Sequence, residues 1–310
     1  MINPKIFNNK KILITGGTGS IGSEIVRQLV KNFKPKQIRI YSRDESKHYF
    51  LQKEIEGINK INIDVIYLIG DIRDKERLDK AFRNIDIVFH AAALKHVPFC
   101  EYNPFETIKT NIYGTQNVID LAIEHNVKKV VGISTDKAVN PNTIMGISKL
   151  MMERMFISST SYIGPSKTKF CVVRFGNVLN SRGSVVPLWI DQIKRGKEVT
   201  VTDKNMKRFI MTIPEAVSLI FLATSMMKGQ EAFVLKMPEK NIYQLAQETI
   251  NEHSQGKKIK IKIIGVRDRE KLVEYLYTDE EKKLMIERNK FFIILPNKEL
   301  LKKRKNEYRD

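Results

Sequence analysis

Eight residues near the start of the chain, Thr15-Gly16-Gly17-Thr18-Gly19-Ser20-Ile21-Gly22, restrict the fold more than any other stretch. They follow a short branched apolar run, Lys11–Thr15 (KILIT), and open Ile21–Val30, where apolar residues recur at helical spacing. A branched run that stops at glycines reads as a strand buried on both faces. Glycine is needed where such a strand turns sharply into a helix and where the two then pack closely. The same rhythm continues. Gln37–Tyr41, Asp64–Ile69, Asp86–His90, Lys128–Ser134 and Phe170–Phe175 read as strands, and Lys75–Arg83, Pro104–Asn126 and Gly146–Ser158 as amphipathic helices between them. Strands alternating with helices imply right-handed crossovers, hence an α/β fold with a doubly wound parallel sheet. There is no internal repeat and no low-complexity linker.

After about Asn177 the rhythm breaks into turn-like pieces (NSRGS, TDKNMKR), a helix near Pro214–Met227 and a basic, less regular C-terminal third. This pattern predicts a smaller, discontinuous C-terminal substrate-binding domain over the carboxyl ends of the strands, where ligands bind in such sheets. The expected division gives 1–178 and 207–236 to the sheet domain, and 179–206 and 237–310 to the smaller one.

A helix that starts at a glycine turn offers unpaired N–H groups and the positive end of its dipole to phosphates. Gly16, Thr18, Gly19, Ser20, Ile21 and Gly22 are therefore expected to cradle the pyrophosphate of a dinucleotide. The second strand runs into Tyr41-Ser42-Arg43-Asp44. An acidic residue directly at that strand end would bond the ribose hydroxyls of NAD, whereas an arginine accommodates a 2′-phosphate. Ser42 and Arg43 come first, so NADP is the expected cofactor, while Asp44 keeps NAD open. Asp71 and Ile72 are placed to meet the adenine, and Ala91, Ala92 and Ala93 would let the backbone approach the cofactor closely.

Composition excludes several other classes. Cys100 and Cys171 are too few and too isolated for a disulfide framework or a cysteine zinc site, which suits a reducing cytosol. No cluster has metal-ligand spacing, so no metal is expected, and His90 and His125 read as structural. No apolar run approaches the ~18–20 residues of a membrane span. The opening MINPKIFNNKK lacks the apolar core of a signal peptide. These features together predict a cytoplasmic protein. The 54 basic against 35 acidic residues leave a net charge of +19, which fits nucleic acid, an anionic membrane surface, an acidic small molecule, or merely a Lys-, Asn- and Ile-rich composition. The basic residues are scattered and not interleaved with aromatics as in an RNA motif, so no nucleic-acid partner is expected. The one dense run, Lys302–Lys305, reads as solvated.

The fifth strand ends in Ser134-Thr135-Asp136-Lys137, and Met145-Gly146-Ile147-Ser148-Lys149 follows. Taken with FHAAALKHVP (Phe89–Pro98), KTNIYGTQN (Lys109–Asn117), STDKAVNP (Ser134–Pro141), RFGNV (Arg174–Val178) and the glycine turn, the sequence resembles the extended short-chain dehydrogenases/reductases. Within them it is similar to the UDP-N-acetylglucosamine 4,6-dehydratases of surface-polysaccharide biosynthesis. The branch that also inverts C5 shares MGISK followed by Met-Met-Glu. The resemblance runs from about Lys10 to Lys271, and STDKA is its most specific element. It implies a Rossmann-type sheet, a UDP-N-acetylhexosamine substrate and a homo-oligomer.

The resemblance also implies a reaction and roles. C4 of the sugar is oxidised with hydride passing to the nicotinamide, which makes the C5 proton acidic. A base removes that proton, an acid protonates the departing C6 hydroxyl, and the hydride returns to C6. Asp136 would be the acid toward O6 and Lys137 the base at C5. Asp136 would then have to hold a proton near neutral pH, which burial beneath the sugar favours and the Lys137 cation opposes. Lys149 would hold the nicotinamide ribose and assist the base at the C4 hydroxyl. The superfamily usually has tyrosine where this chain has Met145. A thioether carries no ionisable proton, which disfavours a plain 4-epimerase or ketoreductase. Several dehydratases of this group resemble the chain in having Met there. Thr135, or a water held by Lys149, is the candidate relay in place of tyrosine. Lys95 and His96 would lie near the hexose, and Asn177 near the sugar or diphosphate. Arg182, Arg208 and Arg267 would pair with the UDP phosphates, and Glu270 would accept from the uridine ribose. Arg269 stands where family members usually carry glycine, which puts the local turn in question. The alternatives are a UDP-hexose 4-epimerase and a non-catalytic dinucleotide-binding regulator.

Overall fold

The computed structural model describes residues 4–308 of the chain; positions 1–3 and 309–310 of the expected division lie outside the described residues. Six strands in chain order are β1 (Lys11–Thr15), β2 (Gln37–Ser42), β3 (Asp64–Ile69), β4 (Ile87–His90), β5 (Lys129–Thr135) and β6 (Lys169–Phe175). Eight shorter ones follow: β7 (Asn177–Val178), β8 (Val199–Val201), β9 (Lys207–Met211), β10 (Ala232–Leu235), β11 (Glu239–Asn241), β12 (Ile261–Ile263), β13 (Met285–Glu287) and β14 (Phe291–Ile294). Nine of these form one sheet in the order β13-β14-β10-β6-β5-β4-β1-β2-β3. From β10 to β3 every pairing is parallel, and β14 and β13 close the edge antiparallel. Winding reverses between β1 and β4, which opens a crevice at their carboxyl ends. Ile12, Leu13 and Ile14 of β1, with Val88 and Phe89 of β4, have no exposed surface, as expected of strands covered by helices on both faces. This is the Rossmann-type doubly wound sheet.

The helices that concern the crevice are α1 (Ser20–Asn32), α2 (Glu45–Ile58), α3 (Lys75–Phe82), α4 (Val97–Tyr102), α5 (Pro104–Ile108), α6 (Gly114–Glu124), α7 (Ile144–Ser158), α8 (Val185–Lys194), α9 (Ile213–Met226) and α10 (Ile242–His253). The continuous helix expected over Pro104–Asn126 is instead interrupted by one π turn, Lys109–Tyr113. That turn sets Asn111 so that its Oδ1 accepts from Leu94 N at 2.8 Å while its Nδ2 donates to Leu94 O at 3.0 Å and Ser148 Oγ at 2.9 Å. The loop after β4 is thereby pinned to α7. Helix α2 is absent from the sequence pattern read above; Asp44 starts it, accepting from Lys47 N at 3.0 Å, and His48, Leu51 and Ile55 supply its buried stripe.

A second apolar cluster, around Trp189, Val199, Met206, Ile210, Ile242 and Leu245, gives the smaller lobe its own core. Its boundaries correct the expected division. Strand β9, assigned above to the sheet domain, pairs with β7 and β11 in a separate three-stranded sheet. Conversely β13 and β14, assigned to the smaller lobe, extend the main sheet. The four residues of β14, FFII, are all buried, and only the open edge at β10 offers such a strand two covered faces. In the basic C-terminal run Lys302, Lys303 and Lys305 are exposed, as expected, and Arg304 is the exception: it donates to Glu231 Oε1 at 3.0 Å, and the Tyr308 hydroxyl donates to the same carboxylate, which is fully buried.

Among the described residues no helix is long and apolar enough to cross a membrane, and no three His, Cys, Asp or Glu converge as metal ligands would. Cys100 and Cys171 are buried and unpaired. His90 Nδ1 lies 2.8 Å from Thr15 Oγ1 and its Nε2 3.1 Å from Thr115 Oγ1, and burial pushes its pKa down to about 3. It is a neutral strand-to-helix brace.

A candidate active-site cleft

Between the carboxyl ends of the parallel strands and the smaller lobe lies a cleft of about 1070 Å³. At one end is the glycine turn. Gly16 has φ +67°, and a Cβ there would sit 2.7 Å from the Ala92 backbone. A Cβ on Gly22 would collide with the Gly16 carbonyl, so α1 can start this close to β1 only with glycine at both positions. Thr18 Oγ1 and Ser42 Oγ are 2.8 Å apart across the turn. Arg43 reaches from the end of β2 toward Asp71, its Nη1 3.4 Å from Oδ2, with half of its side chain exposed. Asp44 lines the same end but its carboxylate holds the start of α2. Gly16, Thr18, Gly19, Ser20, Ile21, Gly22, Ser42, Arg43, Asp71, Ile72 and Ala91–Ala93 all line the cleft, so the strand ends converge on one trench. A trench whose floor a single methyl group would fill fits a pyrophosphate laid against backbone N–H groups.

The far wall is α7 and the end of β5. Thr143 Oγ1 accepts from Gly146 N at 3.1 Å and so fixes the start of α7. Met145 and Lys149, four residues apart, then share the face turned to the cleft, which both line. Lys149 Nζ donates to Ile133 O at 2.5 Å; burial pulls its pKa down to about 8, against the opposing pull of Glu153. At the end of β5 a tight turn, Asp136–Ala138, brings three groups together. Thr135 Oγ1 donates to Asp136 Oδ1 at 2.9 Å, and Lys137 Nζ donates to the same oxygen at 3.1 Å and to Asn177 Oδ1 at 3.0 Å. Burial disfavours the Lys137 ammonium, but Asp136 and Glu274 together outweigh it and hold its pKa above the usual lysine value.

Asp136 departs from its expected place. Thr135, Lys137 and Asn177 line the cleft, whereas Asp136 is 0% exposed and lies behind them. Its Oδ2 has no hydrogen-bond partner among the described residues, and Gly176 packs over it, leaving 3.2 Å between that oxygen and the position of a Cβ. Among the described residues, its hydrogen bonds toward the cleft come from Thr135 and Lys137.

The loop after β7 roofs the trench. Arg182 N donates to Ser20 Oγ at 3.0 Å, and Lys95 Nζ donates to Arg182 O at 2.7 Å. Gly183, at φ +71°, turns this loop against the His96 ring, which a Cβ would strike. Lys95, His96, Asn177 and Arg182 thus meet at the cleft. Burial, with Arg182 nearby, lowers the Lys95 pKa.

Arg208, Arg267 and Glu270 form a separate group outside the lining. Arg208 is buried, and its guanidinium donates to the carbonyls of Lys207, Lys271 and Leu272 at 2.8–3.0 Å. The Leu272 carbonyl also accepts from Lys207 N at 3.0 Å, so the arginine that was expected at a phosphate instead ties the irregular 271–272 backbone to the start of β9. Glu270 Oε1 is 3.6 Å from Arg208 Nη2, and Glu270 Oε2 accepts from Arg267 N at 3.2 Å. Arg269 keeps the turn despite replacing glycine: it adopts φ +61°, and its Nη1 donates to Glu101 Oε2 at 3.0 Å. Three polar groups at the site were not assigned from the sequence: the buried hydroxyls of Ser134 and Thr110, which lie within the STDKAVNP and KTNIYGTQN motifs, line the cleft and have no hydrogen-bond partner among the described residues, and Glu274, 3.5 Å from Lys137 Nζ.

Comparison with known proteins adds an independent line. Residues 12–296 match the polysaccharide biosynthesis protein family. The chain is 44% identical over 297 residues to the UDP-N-acetylglucosamine 4,6-dehydratase (inverting) of Campylobacter jejuni, covering 96% of this chain and 86% of that one. It is 43% identical over 279 residues to the UDP-glucose 4-epimerase of Rickettsia akari, covering 89% and 80%. The structure of Pen from Bacillus thuringiensis, 46% identical, superposes with a TM-score of 0.89 over 94% of this chain and 90% of that one.

Proposed function

The chain belongs to the polysaccharide biosynthesis protein family, and on that premise we propose that it is a UDP-N-acetylglucosamine 4,6-dehydratase that inverts C5 and uses NADP. The observation that carries this reading is that Thr135 and Lys137, both bonded to the buried Asp136, line the cleft together with Lys149 while Met145 takes the place of a tyrosine. When bound, the nicotinamide supplies a hydride acceptor at C4 and the same hydride for C6. The protein's own residues do the rest. The glycine turn holds the pyrophosphate, Arg43 faces the 2′-phosphate, and the Lys149 ammonium holds the nicotinamide ribose. With no phenol at position 145, the C4 hydroxyl gives its proton to Thr135 Oγ1, whose own hydrogen already points at Asp136, or to a water held by Lys149. Lys137, in its neutral form, removes the C5 proton. Asp136 has no surface in the cleft, so its proton reaches O6 by way of the Thr135 hydroxyl, which touches its Oδ1.

Lys95, His96 and Asn177 face the hexose in this reading. Arg182 takes the diphosphate, while Arg208, Arg267 and Glu270, outside the lining, shape the turn beside the uridine. Buried, unpaired cysteines suit a reducing cytoplasm. The exposed apolar side chains of Phe99, Tyr102, Phe105 and Tyr113, beside Ile147 and Met151 on α7, support a homo-oligomer.

The Rickettsia relative favours a second reading, a UDP-hexose 4-epimerase. Met145 argues against it, because the usual base is missing. Incubation with UDP-N-acetylglucosamine separates the two. A dehydratase gives a product lighter by one water, with deuterium at C5 when the reaction runs in deuterated water. NMR of that product distinguishes the L-arabino from the D-xylo configuration. A product of unchanged mass that NMR shows to be the C4 epimer would establish the epimerase instead.

A further inference from the structure

Glu274 lies on an irregular stretch of the C-terminal segment and is 5% exposed. Its Oε1 stands 3.5 Å from Lys137 Nζ. Its Oε2 is buried without a hydrogen-bond partner among the described residues; the Lys271 ammonium, 4.0 Å away, donates instead to the carbonyls of Val139 and Asn140. A buried carboxylate with one oxygen unpaired weakens a fold, so packing alone gives no reason for it. Around the same ammonium stand Asp136 Oδ1 at 3.1 Å and Asn177 Oδ1 at 3.0 Å. The Arg208 guanidinium of β9 opposes them from farther away, with Glu270 against it at 3.6 Å. Lys137 therefore sits between two buried carboxylates supplied by distant parts of the chain.

We propose that Glu274 is a positioning residue for Lys137, aiming the amine into the cleft and stabilising it once it has taken up a proton. This rests on the dehydratase reading for its chemical meaning. The C5–H bond breaks, and its proton forms a new N–H bond on the neutral form of the Lys137 amine. The electron pair becomes the C5–C6 double bond as the C6–O bond breaks, and O6 leaves as water with a proton from the Asp136 side. Positive charge then develops on Nζ, between Asp136 and Glu274, where fixed negative charge lowers the barrier without rearrangement.

The decisive measurement needs no turnover. The full chain and its Glu274→Gln variant are treated with trinitrobenzenesulfonate at a fixed pH near 9, and labelling of Lys137 is followed by peptide mass spectrometry. Loss of one neighbouring negative charge is expected to raise the labelling rate about ten-fold, the gain in neutral amine from a one-unit shift. Glu274→Asp, which keeps the charge, should stay near the wild-type rate, and it decides the matter if the glutamine variant does not fold. An unchanged rate in Glu274→Gln, or an equal change in Glu274→Asp, overturns the proposal.

In turnover with UDP-N-acetylglucosamine in deuterated water, the rise of C5 exchange with pH is expected to move about one unit lower in Glu274→Gln. KM and the formation of reduced cofactor should remain near wild type. Equal loss of C4 oxidation and C5 exchange would show a merely structural role and overturn it. If the wild-type protein does not dehydrate the sugar, the functional reading falls, and the labelling rates still decide whether Glu274 governs Lys137.

Discussion

Lys149 and Glu153 lie one turn apart on α7 yet face different partners. Lys149 Nζ donates to the Ile133 carbonyl, while both Glu153 oxygens accept from the Arg174 guanidinium, at 2.6 and 3.0 Å. Arg174 also binds Glu281 at 2.8 Å, so the carboxylate that could neutralise Lys149 is shared out beneath it. The lysine is left to face the cleft as an undercompensated buried cation.

This arrangement sets a pH dependence. The folded-state pKa of Lys149 is about 8, against 10.5 in the unfolded chain. Between those values the unfolded state holds a proton that the folded state has shed, so this group makes stability rise with pH across the window. Below about pH 8 the full cost of burying the cation is present. Lys149→Met should therefore stabilise the protein at pH 7, by up to about 3 kcal/mol, while abolishing turnover. Calorimetry at pH 7 showing a lower Tm for the variant would refute it. In the wild type, C4 oxidation should fall as pH rises through about 8, because the cationic form is lost.

Thr135→Val removes the hydroxyl that links the cleft to Asp136. Stopped-flow formation of reduced cofactor on mixing with UDP-N-acetylglucosamine should slow by about 100-fold. Hydride transfer at the full wild-type rate would rule out the Thr135 relay and leave the Lys149-held water.

Arg43 is half exposed at the trench and tied only loosely to Asp71. Arg43→Ala should weaken NADP binding about ten-fold, as expected for one charged hydrogen bond, and leave NAD binding nearly unchanged. Titration calorimetry with both dinucleotides checks this. An equal effect on the two would remove Arg43 as the discriminator.

Tyr102 and Phe105 are 85% and 73% exposed. Placing charge there, as Tyr102→Glu with Phe105→Lys, should shift the mass measured by light scattering toward the monomer with little loss of monomer fold. An unchanged mass would place any interface elsewhere.

At φ +61° Arg269 carries backbone strain of about 1–2 kcal/mol. Its exposed ion pair with Glu101 returns less than about 1 kcal/mol. Arg269→Gly should leave stability equal or slightly higher and KM unchanged. Denaturant unfolding that shows a clear loss would mean the ion pair matters more than the turn.

The parallel strands and the glycine turn were legible because each is a local pattern: apolar runs, helical spacing and a turn that only glycine can make. The trench residues followed from their places at strand ends. What escaped depends on directions that no local pattern encodes. Asp136 and Lys137 are adjacent in the chain, yet one points behind the wall and the other into the cleft. Arg208 carried the right charge for a phosphate, but its reach is fixed by carbonyls 63 and 64 residues away. Glu274 meets Lys137, and β14 meets β10, across long separations too, through irregular chain whose course no periodicity predicts.

Ser20, at the start of α1, and Lys95, on the loop after β4, both hold the backbone of Arg182, one through its N–H and the other through its carbonyl. A single residue therefore joins the glycine-turn end of the cleft to the wall beside His96, and any movement of the roof is felt at both.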